Sequence, residues 1–275
     1  MGIKKTMEIK TRAEILKSVN SLFTGIVTLL LFTSCAHDIA VKTQSSKFMS
    51  PEAGGKVLAS ELSIYTGSNV KATVDLAGDQ TDNDMVLKNE QSSLAFNANI
   101  GILKNLDFIV VANGLDATDM YGVKFQFYGP SRIEAKAGDQ SIAITMAGGN
   151  QTQSESEGSD LELTPTNEDT TVDLEMSAYD VGIIYGRRQS DDTLLYAGVN
   201  YTAHTISGKL DSQNSVLTGK NLNFQASQYG AHVGAMRYFE KMVLKLELNS
   251  QTINWDHTDS KTFVFFNVAF GFYWD

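Results

Sequence analysis

Residues 263–275 read FVFFNVAFGFYWD, and the reading of that ending decides the fold. Phe, Tyr and Trp run almost to its last atom, where soluble chains usually fray into water. Alternate residues separate into two sets. Val264, Phe266, Val268, Phe270, Phe272 and Trp274 share one face, with Asn267, Ala269 and Gly271 opposite. A period of two marks a β-strand with one apolar face.

Upstream the pattern repeats. MVLKLELN sets Met242, Leu244, Leu246 and Leu248 against Val243, Lys245, Glu247 and Asn249. YGAHVGAMRY, LLYAGVNYTAH and AYDVGIIYG turn Val233, Val199 and Val181 one way and His232, His204 and Asp180 the other. IAITM, VKFQF, LDFIVVA and SLAFNANIGIL alternate in the same way. A first strand at about 56–66 brings the number to ten, with eight as the alternative; the pattern is weakest over 67–92 and 129–141. Short connections fall near 103–105, 188–192 and 239–241 and after Gly129. Long polar ones fall near 78–92, 113–120, 148–171, 208–221 and 256–261.

Soluble and membrane barrels both have one apolar face, so the other face discriminates. Lys, Glu and Thr normally cover a strand surface that meets water. Here the second face is mostly Gly, Ala, Asn and Ser, residues that fit a crowded interior. The bulky face then points outward, where lipid tolerates it. The segments reach the 9–11 residues a spanning strand needs, and a sheet in lipid must close on itself. Tyr185 and Trp274 fall on the outward phase near short turns, as an aromatic belt requires. Tyr196, Tyr238 and Trp255 fall on the inward phase.

On these residues the chain from about 56 to 275 resembles the small outer-membrane β-barrel proteins of Gram-negative bacteria. The resemblance implies an all-β, antiparallel transmembrane barrel with short periplasmic turns and long outer loops. It implies that the terminal strand, through Phe266, Phe270, Gly271, Phe272 and Trp274, is recognised by the barrel-assembly machinery. Asp275 departs from the family, which usually stops on the aromatic. With an even strand number, both mature termini are expected in the periplasm.

The N-terminus reads as an export signal. Lys4, Lys5, Lys10, Arg12 and Lys17 precede the apolar run LFTGIVTLLLF (22–32), too short to span a bilayer, and then TSC. Met1 and Met7 both qualify as starts. LFTSC resembles the lipobox of bacterial lipoproteins, although Phe32 stands where Leu is usual. This divides the chain into a signal peptide (1–34), Cys35 as the acylated first mature residue, a polar periplasmic tether (35–55) and the barrel (56–275). Ala36, by the same resemblance, directs the lipoprotein to the outer membrane. The alternative leaves Cys35 a bystander behind an ordinary signal peptide.

The rest of the composition narrows the function. Without residues 1–34 the chain has 17 basic and 30 acidic residues, which argues against nucleic acid. One cysteine excludes an intrachain disulfide and a Cys-based metal cluster. His204 and His232 face inward on neighbouring strands but out of register, as lumen hydrogen-bonders. Lys245 and Glu247 read as an interior charge network. HTDS (257–260) lacks a third catalytic group, and Asp79, Asp82 and Asp84 lack calcium-loop spacing. The loop 148–171 opens a stretch, Glu155 through Glu175, with eight acidic residues. It reads as a solvated loop, with divalent cations or a basic partner as the sharper alternative.

No catalytic site, metal site or cofactor is expected. The expected role is a structural, surface-interaction or narrow-passage one in contact with outer-membrane lipid. A lipid-anchored, lipocalin-like soluble barrel binding a small apolar ligand is the alternative. An outer-membrane enzyme comes third. For the lipobox, radiolabelled fatty acid should be incorporated and lost in Cys35→Ala; incorporation that survives the substitution contradicts it.

Overall fold

The computed structural model describes residues 38–44, 48–75, 85–112, 118–155, 170–212, 221–256 and 259–275. They form β1 (Asp38–Gln44), β2 (Ser60–Asp75), β3 (Met85–Leu103), β4 (Leu106–Ala112), β5 (Met120–Tyr128) and β6 (Gln140–Glu155). These continue into β7 (Thr170–Ser190), β8 (Thr193–Ser212), β9 (Asn221–Phe239), β10 (Met242–Trp255) and β11 (Lys261–Trp274). Strands β2 to β11 pair antiparallel with their neighbours, and β11 pairs back onto β2 through Ala269↔Tyr65 to Trp274↔Ser60. The result is a closed ten-stranded antiparallel barrel.

The alternation sorts side chains between its two surfaces. On β10, Met242, Leu244, Leu246 and Leu248 are exposed while Val243, Lys245, Glu247 and Asn249 are buried. On β7, Tyr179, Val181, Ile183 and Tyr185 form an outward apolar run between the outward charges Glu175 and Arg187. The nine residues 177–185 match the length of a bilayer-crossing strand. On β11, Phe266 is 66 % and Trp274 47 % exposed. Outward Tyr201 and Tyr229 are register partners with ring centroids 5.0 Å apart.

Three two-residue turns, 104–105, 191–192 and 240–241, mark one end of the barrel. The fourth connection there, 129–139, is a longer segment rather than a tight turn. It opens on Gly129 at φ 91°, where a side chain would strike the carbonyl of Gln140. From it Arg132 reaches Asp275 at 3.0 Å, the Trp274 carbonyl at 3.4 Å and the face of Tyr273 at 4.7 Å. Asp275 thus ties the last strand to the turn. At this end Lys104 bonds Glu134, and this bond with that of Ser131 holds the Glu134 carboxyl below its usual pKa. Ser190 and Thr193 likewise lower the pKa of Asp192.

Several expectations need correction. The loop expected near 78–92 is partly strand, since β3 begins at Met85, and β2, expected to end near 66, runs on to Asp75. Where it is described, the segment 35–55, expected as a tether, packs on and inside the barrel. Asp38–Gln44 is a strand on the upper half of β2, with Asp38↔Asp75 and Gln44↔Asn69. Residues 48–54 are buried inside the barrel. Both mature termini are expected on one side, and the mature amino terminus lies outside the described residues. Asp38 lies with Asp75 at the long-loop end, and Trp274 with Ser60 at the short-turn end.

The outward band predicts position-dependent costs. Val181→Arg, mid-band, should lose about 2–4 kcal/mol of unfolding free energy in lipid vesicles, and Glu175→Arg about 0–1. Equal losses would contradict the assignment of the band.

Candidate functional site

Charged side chains point into the lumen from several strands, and residues 48–54 lie among them. Every backbone group buried there needs a partner. The Phe48 N–H donates to Glu247 Oε2 at 2.9 Å, and Lys245 Nζ donates to the Phe48 carbonyl at 3.1 Å. The Ala53 N–H donates to Gln126 Oε1 at 2.6 Å and the Gly54 N–H to Asp107 Oδ1 at 3.0 Å. Lys124 Nζ donates to the Glu52 carbonyl at 2.7 Å, and the Arg132 N–H to that of Ala53 at 2.8 Å. The segment is laced to the wall by side chains that an open pore would leave to water.

Ion pairs set the electrostatics of the same region. Glu52 meets Arg188 through two bonds, at 2.8 and 2.5 Å, and the guanidinium stacks on Tyr238 at 4.6 Å. Lys124 pairs with Asp107 at 2.9 Å, and Lys245 pairs with Glu61. All six charges are almost wholly buried. Tyr196 donates to Glu247 at 3.0 Å, so that carboxylate joins the wall to the segment. Met49 packs among Ile109, Leu194, Tyr196 and Met236, while the Phe48 ring meets that of Tyr65 at a tilt, with centroids 4.9 Å apart.

Further toward the long loops the interior is amide-rich and then apolar. Gln228, Gln251 and Asn200 bond one another, and Thr202 donates to Asp180 at 2.6 Å. Above them Leu174, Met176, Ile206, Phe224, Ile253 and Trp255 are buried. Among the described residues, charge pairs, a peptide segment, amides and an apolar layer therefore follow one another along the height of the barrel. A cavity remaining between Glu52, Glu61, Asn99, Asp107, Lys124 and Arg132 has room for about one water.

Lys245 and Glu247 are fully buried in the charge network. His204 is half-buried with Nε2 3.3 Å from Gln228 Oε1, and His232 is buried beside Tyr196 at 6.0 Å between centroids. His232 pairs with Gly198 in register, six residues along β8 from His204, or about 20 Å. The structure does not bring the two histidines together. Gly198 has a structural reason: a side chain there would occupy the His232 ring. Gly271 faces inward, and Phe266, Phe270, Phe272 and Trp274 face out. Tyr196, Tyr238 and Trp255 are buried, on the phase expected of them. Cys35, Asp79, Asp82, Asp84, His257 and the centre of the acidic loop, 156–169, lie outside the described residues. No group of residues suited to a metal ion occurs among those described.

Glu52, Asp107, Lys124, Arg132 and Arg188 went unrecognised in sequence. The inward phase of their strands could have flagged Asp107, Lys124 and Arg188. Nothing periodic marks Glu52.

Fold and interior together define a closed ten-stranded antiparallel barrel whose lumen holds residues 48–54. No protein-family model matches the chain, and no curated protein is similar to it in sequence. Among solved structures it is similar to the outer membrane protease OmpT from Escherichia coli. That likeness has a TM-score of 0.33 and 8 % identity over 88 % of this chain and 95 % of that one. At that level it carries no inference about activity.

The buried Glu52–Arg188 pair should be costly to break on one side only. Arg188→Met leaves Glu52 charged and unpaired and should lose about 3–5 kcal/mol in denaturant unfolding. The double variant Glu52→Leu/Arg188→Met should recover most of that loss. A double variant as unstable as the single would refute the pairing.

Proposed function

We propose that this chain is an integral outer-membrane β-barrel without enzymatic activity, acting as a sealed anchor that holds its long-loop end out as an interaction surface. The observation that carries the reading is the outward apolar band. Leu246, Val181, Val199, Val233, Phe125 and Phe270 are all exposed, on six different strands. Exposed apolar surface on that scale marks a membrane or partner interface, and bounding charges such as Glu175 and Arg187 fit a bilayer-thick band.

The filled lumen argues against a narrow passage. It also disfavours a soluble barrel for a small apolar ligand, whose cavity would have to be apolar and empty. Chemistry has little support in the arrangement: His204 and His232 are apart, and the buried carboxylates are engaged with cations or backbone. The aromatic last strand fits recognition by the barrel-assembly machinery. The strands that rise past the band toward the loops, β7 to β9 above all, fit the display of a surface to a partner. The acidic 148–171 region belongs to that end, and its charge suits divalent cations or a basic partner.

Export and lipidation at Cys35 rest on the leader and lipobox pattern alone. A Cys35→Ala protein should still need detergent for extraction and should migrate differently on SDS gels before and after boiling. Free solubility with no such shift would refute the membrane reading.

A further inference from the structure

We propose that the amino-terminal arm from Asp38 onward is threaded through the barrel, so that Asp38 stands on the long-loop side, opposite the carboxyl terminus. The proposal rests on the membrane-barrel reading and adds a sidedness to it. Three observations carry it. The register Asp38↔Asp75 to Gln44↔Asn69 makes β1 run downward from the long-loop end. β11 holds the same edge of β2 only lower down, over Ser60–Tyr65, because β3 occupies the other edge from Ser60 to Val74. Below β1, residues 48–54 continue inside the lumen, bonded first to Glu247 and Lys245 and then to Gln126 and Asp107. The arm thus enters the wall at the upper half of the β2–β11 seam and leaves the lumen at the short-turn end as β2 begins.

Cysteine accessibility tests this in full-length protein in cells. Asp38→Cys, Asp259→Cys at the β10–β11 loop and Asp275→Cys are labelled with a membrane-impermeant maleimide, before and after permeabilising the outer membrane. The parent chain supplies the background, and the heat-dependent gel shift shows that each variant has folded. The Asp38 site should label in the same step as the Asp259 site, and the Asp275 site in the other. If the Asp38 site labels with the Asp275 site, against Asp259, threading is overturned and the spanning barrel stands. If all three label in one step, the barrel does not separate two compartments and both readings fall.

Discussion

A backbone amide taken out of water must find another partner, and this molecule meets that demand twice. In the wall, each strand pairs with its neighbours, and β11 closes the sheet on β2 over Ala269–Trp274. In the lumen, residues 48–54 carry peptide groups into a space with no sheet edge to receive them. The inward side chains of Glu247, Lys245, Gln126, Lys124 and Asp107 accept that duty. Without the segment, Lys245 and Lys124 would still have carboxylate partners, but part of their bonding capacity would be idle in a crowded, poorly hydrated interior. The charges and the segment require each other.

That dependence bears on what the charges are for. Buried ion pairs contribute little net stability against well-packed apolar residues and are best attested as devices of registry. The Glu52–Arg188, Lys124–Asp107 and Lys245–Glu61 pairs fit such a role, since each stands beside or on the segment and would penalise a shifted placement. Space is equally specific. Gly234 leaves room for the Tyr196 ring, and Tyr196 in turn reaches Glu247. The seam has the opposite character: β2 is shared along its height between β11 below and β1 above.

The wall was legible in the sequence because its physics is periodic. Alternation in MVLKLELN and FVFFNVAFGFYW sets Leu244, Leu246, Phe266 and Phe270 outward and Lys245, Glu247 and Gly271 inward, as strands β10 and β11 do. The small inward residues separated lipid-facing from water-facing strands. What escaped has no period. Residues 48–54 read as tether because their burial depends on partners scattered from Asp107 to Glu247, and SPEAGG looks the same in water as in a lumen. Arg132 sits in a connection whose Gly129 suggested a tight turn, although its guanidinium reaches Trp274, Asp275 and the face of Tyr273 at the end of β11. The upper parts of β2 and β3 were missed because charged residues such as Lys71, Asp75, Lys88 and Glu90 mix with their apolar residues.

The central claim is that the amino-terminal segment lies inside the barrel, and a designed cross-link tests it most directly. At Gly186 an added Cβ would meet Pro51 Cγ at 2.6 Å, across 135 residues of sequence. With cysteines at Pro51 and Gly186 and a short bifunctional thiol reagent, the folded protein should become internally linked. The link should appear as a closed loop in unboiled and boiled gels and as a joined peptide pair by mass spectrometry. A barrel that keeps its heat-dependent gel shift but leaves both thiols free and unlinked would contradict the account.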